Sequence, residues 1–249
     1  MLKKEETVRG MEKTLVVNHL GPFLLTNLLL PNLQRSSVES PVSIGTRPPA
    51  SRIVNVASRL EKNGSIMAAE RGVQPGPEWF APPSVTGDGP YNLWHQYSTS
   101  KLCNMLFTFE LDRRLNREWT EHNAGQGQKG SEELVGGEGF SGGGDSVAGR
   151  VMVNAMTPGV VNSDLGRWNN PFVIWATRPI MRLVMRSPAK GAETVIYTAT
   201  SPELEGASGK FFYDMSEAPC SEGAQDKSLA RELWKASSVA SKLDETEEV

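Results

Sequence analysis

Two short apolar runs, "SRIVNVAS" at 51–58 and "VMVNAM" at 151–156, constrain the fold more than any other feature of the chain. Both are rich in β-branched or bulky residues and read as buried strands. Helical patterns lie around them. Residues from about Val8 to Leu33 read as a leucine-rich amphipathic helix that Pro22 and Pro31 should kink or end. A second helix runs from about Tyr91 to Glu118. "SPAKGAETVIYTATS" opens a third, with Ser187 as N-cap and Pro188 at the first helical position. A third strand candidate, "GKFFYD", precedes a closing helix in "AQDKSLARELWKASSVASKL". Buried strands alternating with helices imply an α/β fold built on a parallel sheet. Residues 61–90 are rich in glycine and proline and read as loop.

A chain of 249 residues makes one large domain or two small ones. A net charge of −3 leaves no footprint for nucleic acid. Cys103 and Cys220 fit no metal or redox spacing, which implies a reducing compartment. His19, His95 and His122 show no metal spacing either. "MLKKEETVRGMEKT" has no apolar core behind its lysines and reads as no signal peptide, so an intracellular, cytoplasmic or membrane-peripheral protein is expected. No uninterrupted apolar run reaches the roughly 18 residues of a membrane span. The nearest, "PFVIWATRPIMRLVM", carries Arg178 and Arg182. It reads as a segment lying along a membrane surface or covering a substrate pocket.

Residues 124–149 hold ten of the 24 glycines and read as a low-complexity insertion. This tract contains two matches to G-x-G-x-x-G, "GQGQKG" and "GEGFSG". Neither follows a strand or opens a helix, as a phosphate cradle must, so both are attributed to composition.

Chemistry concentrates in "HQYSTSK". Tyr97 and Lys101, four residues apart, share a helix face. An ammonium beside a phenol favours the phenolate; lowering the phenol from about 10 to near neutrality takes roughly 4 kcal/mol. Alone the pair is weak, since Y-x-x-x-K arises readily by chance. Ser58, however, stands at the carboxyl end of the first strand, the edge where open α/β sheets bind ligands. "NAMTPGVV" turns at Pro158 and Gly159 at the same edge of the next strand. Asn18 stands mid-helix, where an amide is neutral to unfavourable without a specific partner.

In that order these features resemble the short-chain dehydrogenase/reductases. "YSTSK" resembles the family's Y-x-x-x-K, "RIVNVAS" its serine-bearing strand, "VVNHLGPFLLTNLLLP" its asparagine-bearing helix and "NAMTPGVVNSDL" its P-G turn. The carboxy-terminal stretch is similar to the retinol-dehydrogenase-like branch. The resemblance implies an NAD(P)-dependent oxidoreductase interconverting an apolar small-molecule alcohol and its aldehyde or ketone, with NADP favoured by the branch alone. It assigns proton transfer to Tyr97, support of the phenol and contact with the nicotinamide ribose to Lys101, a substrate hydrogen bond to Ser58, and a water link to Asn18. Pro158, Gly159, Val161 and Ser163 would line the nicotinamide pocket. Ala57 stands where many members have a further serine, and Ser163 where threonine is usual.

Family members precede these motifs with a strand and a T-G-x-x-x-G-x-G turn, yet only 17 residues precede Asn18. "HNAG" at 122–125 resembles the family's N-A-G turn but falls after the catalytic helix. The expectation is therefore a single truncated domain over 1–249: an incomplete Rossmann-like, doubly wound parallel sheet of about three carboxy-terminal strands. A free edge on the first strand would expose apolar helix faces and allow a homodimer. The alternative function is a catalytically inactive relic or interaction module.

Overall fold

The computed structural model describes residues 7, 10–39, 50–81, 91–127, 150–161 and 185–243. Its sheet has the order β1 (Ser51–Val56), β2 (Val151–Thr157), β3 (Phe211–Tyr213) and β4 (Ser216–Glu217). The first three are parallel: Val56 pairs with Met156, and Ala155 with Phe211. β4 runs antiparallel to β3. The Rossmann-like parallel arrangement expected from sequence is present, with two-residue β4 as an addition. It follows Asp214 and Met215, whose positive φ of 54° and 60° forms a turn that no Asn-Gly signal announces.

β2 is buried along its whole length, as its run of Val, Met and Ala dictates, whereas β1 is only half buried. Helices cover both faces. On one side lie α1 (Lys13–Leu15), α2 (Gly21–Glu39), α4 (Leu93–Gly127) and α6 (Lys227–Ser241). Phe23, Leu30, Phe107, Leu111 and Trp234 pack there against Val153 and Ile53. On the other, α5 (Pro188–Thr200) sets Val195 and Tyr197 against Val54, Met156 and Phe212. Neighbouring strand residues thus serve opposite layers, as the alternation of side chains along a strand requires.

Helix ends follow local chemistry. Ser187 Oγ accepts the Lys190 N–H at 3.2 Å, capping α5 with Pro188 at its first position. Asp226 Oδ1 accepts the Ser228 and Leu229 N–H groups at 2.8 and 3.0 Å, starting α6. The stretch 61–90, expected as loop, contains a short helix, α3 (Met67–Glu70), and a 3₁₀ turn at Pro77–Phe80, and a 3₁₀ turn at Arg59–Asn63 runs into it; residues 82–90 lie outside the described residues.

The first long helix departs from expectation. It starts at Lys13, widens into a π turn over Val16–Leu20, and continues as α2 to Glu39 without ending at Pro31. Pro22 lacks the N–H that would bond the Asn18 carbonyl, while Gly21 N–H reaches the Val16 carbonyl instead. By length and a mean hydropathy of 1.3, Lys13–Ser36 qualifies as a membrane-crossing helix, a candidate missed in the sequence. Within this fold, Phe23 and Leu30 are fully buried in the core. The segment 171–184 and most of the insertion 124–149 lie outside the described residues. "HNAG" falls within α4, and "GQGQKG" begins at that helix's carboxyl end, the wrong polarity for a phosphate site.

Candidate functional site

β1 delivers Ser58 to the carboxyl edge of the sheet. Ala57 N–H still bonds the Met156 carbonyl at 2.7 Å, so strand pairing persists to the residue before Ser58. Ser58 itself is extended, and its Oγ accepts the Leu60 N–H at 3.2 Å, capping the following 3₁₀ turn. The Ser58 hydroxyl also lies near enough to the Tyr97 phenol to lower its proton affinity. Residues 39 positions apart thereby meet.

Tyr97 and Lys101 lie in the first turns of α4, which Asn92 caps by accepting the Trp94 and His95 N–H groups at 3.0 and 3.2 Å. Lys101 Nζ stands 5.5 Å from the Tyr97 ring centroid. It donates to the Val56 carbonyl at 2.8 Å, an oxygen that also accepts from Asn104 Nδ2 at 3.3 Å. The end of β1 is thus tied to α4 by two side chains, Lys101 and Asn104, of which the second was not read from sequence. Asn104 lies seven residues after Tyr97, two turns along the same face, which is the signal that could have found it.

Electrostatically the pair differs from expectation. Burial raises the Tyr97 phenol above its ordinary value, and the Ser58 hydroxyl only partly offsets that. Burial also lowers Lys101. Desolvation disfavours the charged form of each group, so at neutral pH the phenol is a protonated donor. Lys101 is 9% exposed and pairs with no carboxylate among the described residues. One N–H is committed to Val56, which leaves two for ribose hydroxyls. That donor set fits the nicotinamide-ribose end of a dinucleotide. No glycine-rich strand-to-helix turn stands among the described residues to receive its pyrophosphate.

Asn18, expected to hold a water on the way to Lys101, bonds the same helix at Ser100. Its Nδ2 donates to Ser100 Oγ at 3.1 Å, and Ser100 Oγ donates to the Tyr97 carbonyl at 2.7 Å. The π turn and the Tyr97 turn of α4 are therefore stapled together. A second staple joins α4 to the stretch after Ser58: Thr99 Oγ1 donates to the Ser65 carbonyl at 3.0 Å and accepts its N–H at 3.3 Å. Gly64 permits this approach, since a Cβ there would lie 2.6 Å from the Ser98 carbonyl oxygen.

Pro158 and Gly159 follow β2 at the same edge, with Gly159 at φ +77°. Val161 forms a bridge with Arg186 and meets α5 where a Cβ on Gly191 would stand 2.6 Å from Val161 Cγ2. Ser163 lies outside the described residues. Ser58, Tyr97 and Lys101 are brought together, Asn18 joins them through Ser100, and Pro158, Gly159 and Val161 share their edge of the sheet.

No family profile matches the chain. It is 36% identical to retinol dehydrogenase 14 of Homo sapiens over 239 residues, covering 94% of this chain and 53% of that protein. Polyprenol dehydrogenase of Mus musculus is 32% identical over 231 residues, covering 93% and 54%. The chain spans about half the length of these relatives. Among solved structures, an uncharacterised protein from Mycobacterium paratuberculosis shares the fold at a TM-score of 0.55 and 24% identity, over 97% of this chain and 63% of that one.

Proposed function

The chain belongs to the short-chain dehydrogenase/reductases, and from that premise we propose that it carries the proton-transfer half of an NAD(P)-dependent interconversion of an apolar alcohol and its aldehyde or ketone. The names of its relatives, retinol and polyprenol dehydrogenases, support that substrate class. A nicotinamide dinucleotide, when bound, supplies or accepts the hydride. The chain's own groups handle the oxygen and its proton. Ser58 orients the substrate oxygen, Tyr97 gives it the proton on reduction, and Lys101 offers its two remaining N–H groups to the ribose. Asn18, through Ser100, holds the Tyr97 turn. Pro158, Gly159 and Val161 line the nicotinamide side, with either NAD or NADP as cofactor.

The observation that carries this reading is the convergence on the Tyr97 phenol of the Ser58 hydroxyl, near enough to lower its proton affinity, and the Lys101 ammonium, which pairs with no carboxylate among the described residues and stands 5.5 Å from the ring centroid. A protonated phenol is the form that donates to the substrate oxygen during reduction. The test is nicotinamide oxidation with a long-chain aldehyde, by the wild type and Tyr97→Phe. A loss of about a hundredfold or more is expected on removing the proton donor. Equal rates in the two proteins would exclude the assignment.

A specific observation favours an inactive relic or interaction module as the second reading: the outer edge of β1 has no strand partner among the described residues. That reading predicts no change in nicotinamide fluorescence on titrating NADPH or NADH with the protein. Contact with a membrane surface, and pairing of two copies, are compatible with both readings.

A further inference from the structure

A second cluster gathers at the same edge of the sheet. Arg59, the residue after Ser58, stands over the Tyr213 ring with its guanidinium carbon 5.3 Å from the centroid. Arg186 stands 5.0 Å from that centroid, donates to Tyr213 Oη at 3.2 Å, and pairs with Asp214 at 2.8 Å. Three strand ends supply the parts: Arg59 follows β1, Gly159 follows β2, and Tyr213 closes β3.

The cluster is built rather than incidental. Asp214 and Met215 both occupy the left-handed region without being glycine. Such backbone costs on the order of 1 kcal/mol per residue, and here it presents the Asp214 carboxylate to Arg186. Gly159 closes the far side, since a Cβ there would stand 3.1 Å from Tyr213 Cε2 and 3.4 Å from Arg186 Nε. Two guanidiniums thus share one ring, and the Asp214 carboxylate is taken by Arg186 alone. Arg59 is exposed and makes no ion pair or hydrogen bond among the described residues. A ring face satisfies its charge in part but leaves its planar fork of N–H donors open.

We propose that Arg59, backed by Arg186 on the Tyr213 ring, is an anion-recognising site that takes a carboxylate or phosphate beside Ser58. Its two sources are an acidic end on an otherwise apolar carbonyl substrate and the phosphate of the dinucleotide. The proposal rests on the reading of Ser58 and Tyr97 as the reacting edge for its meaning, though not for its measurement.

Calorimetric titration separates the sources with two matched pairs of probes: 4-oxopentanoate against its uncharged amide, and nicotinamide mononucleotide against nicotinamide riboside. The wild type should bind the anionic member of one pair roughly tenfold more tightly. Arg59→Gln should bring that preference to within about twofold and leave the neutral member unchanged, while Arg59→Lys should retain part of it. The pair that loses its preference identifies the source. Equal binding within both pairs by the wild type, or preferences that survive Arg59→Gln, would overturn the proposal. Repeating the titration in Tyr97→Phe separates it from the oxidoreductase reading, because anion binding should persist when proton transfer is gone.

Discussion

Tyr97 and Lys101 are spaced for mutual influence, yet burial decides their proton affinities. The phenol is held above its usual range and the ammonium below. Each shift opposes the charged form, and only the Ser58 hydroxyl, which can donate to a phenolate, pulls Tyr97 down. Ser58→Ala should therefore move the phenol still higher. Ultraviolet difference titration of wild type against Tyr97→Phe isolates this tyrosine among the four. An unchanged or lower midpoint in Ser58→Ala would show that the Ser58 hydroxyl does not act on the phenol. His19 gives the second residue-scale test. It is fully buried against Phe23, Phe80 and Phe107, with Nε2 2.8 Å from Ser237 Oγ and Nδ1 unpartnered. Burial lowers it from 6.5 to about 3. Below pH 6.5 the unfolded chain takes up a proton that the native ring refuses until about pH 3, so stability falls across that window as pH drops. The slope from this one group is about 1.4 kcal/mol per pH unit. Urea midpoints at descending pH should fall less steeply in His19→Phe, whose phenyl ring fills the same aromatic site; Ser237 keeps its bond to the Leu233 carbonyl.

The elements explain which parts were legible in the chain. β1 and β2 were readable because buried β-branched and apolar runs leave few alternatives, and Ser187 and Asp226 cap helices by rules that act within four residues. Ser58, Tyr97 and Lys101 were readable because a strand end and an i, i+4 spacing fix their places locally. The π turn at Val16–Leu20 was not, since Pro31 raises the same alarm as Pro22 and yet leaves α2 unbroken. Nor were the bonds of Lys101 and Asn104 to the Val56 carbonyl, or that of Ser100 to the Tyr97 carbonyl, because a backbone oxygen carries no residue signature. Gly64 belongs to this hidden class. A methyl group there would press on Ser98 and Thr99 backbone atoms at 2.6–2.7 Å, which cannot yield as a flexible side chain can. Gly64→Ala should cost about 2 kcal/mol in urea unfolding and loosen the turn between Ser58 and α4. A variant as stable as the wild type would show that the two elements are not clamped there.

At the scale of the whole molecule, the sheet is protected unevenly. β2 is enclosed by strands on both sides and helices on both faces, whereas β1 keeps its outer edge without a strand among the described residues. Beside it, α2 turns Leu25, Leu28 and Leu29 outward at 59%, 48% and 46% exposure, positions that share one helix face. Val17 on the preceding π turn is 61% exposed. A continuous apolar stripe alongside an open strand edge is the combination that soluble folds cover with another element or another copy. The same stripe gives Lys13–Ser36 its membrane-like hydropathy, although Leu15, Phe23 and Leu30 on the opposite side are core residues. The chain as it stands should therefore self-associate as its concentration rises, through α2 rather than through the helices that build the Tyr97 site. Replacing Leu25 and Leu28 together by lysine alters only exposed side chains, so folding should change by about 0.5 kcal/mol or less at each. Sedimentation velocity should then show the variant remaining monomeric where the wild type has begun to associate. A wild type that stays monomeric throughout, or a variant that associates as strongly, would mean that the stripe is tolerated in water and the exposed edge is already shielded.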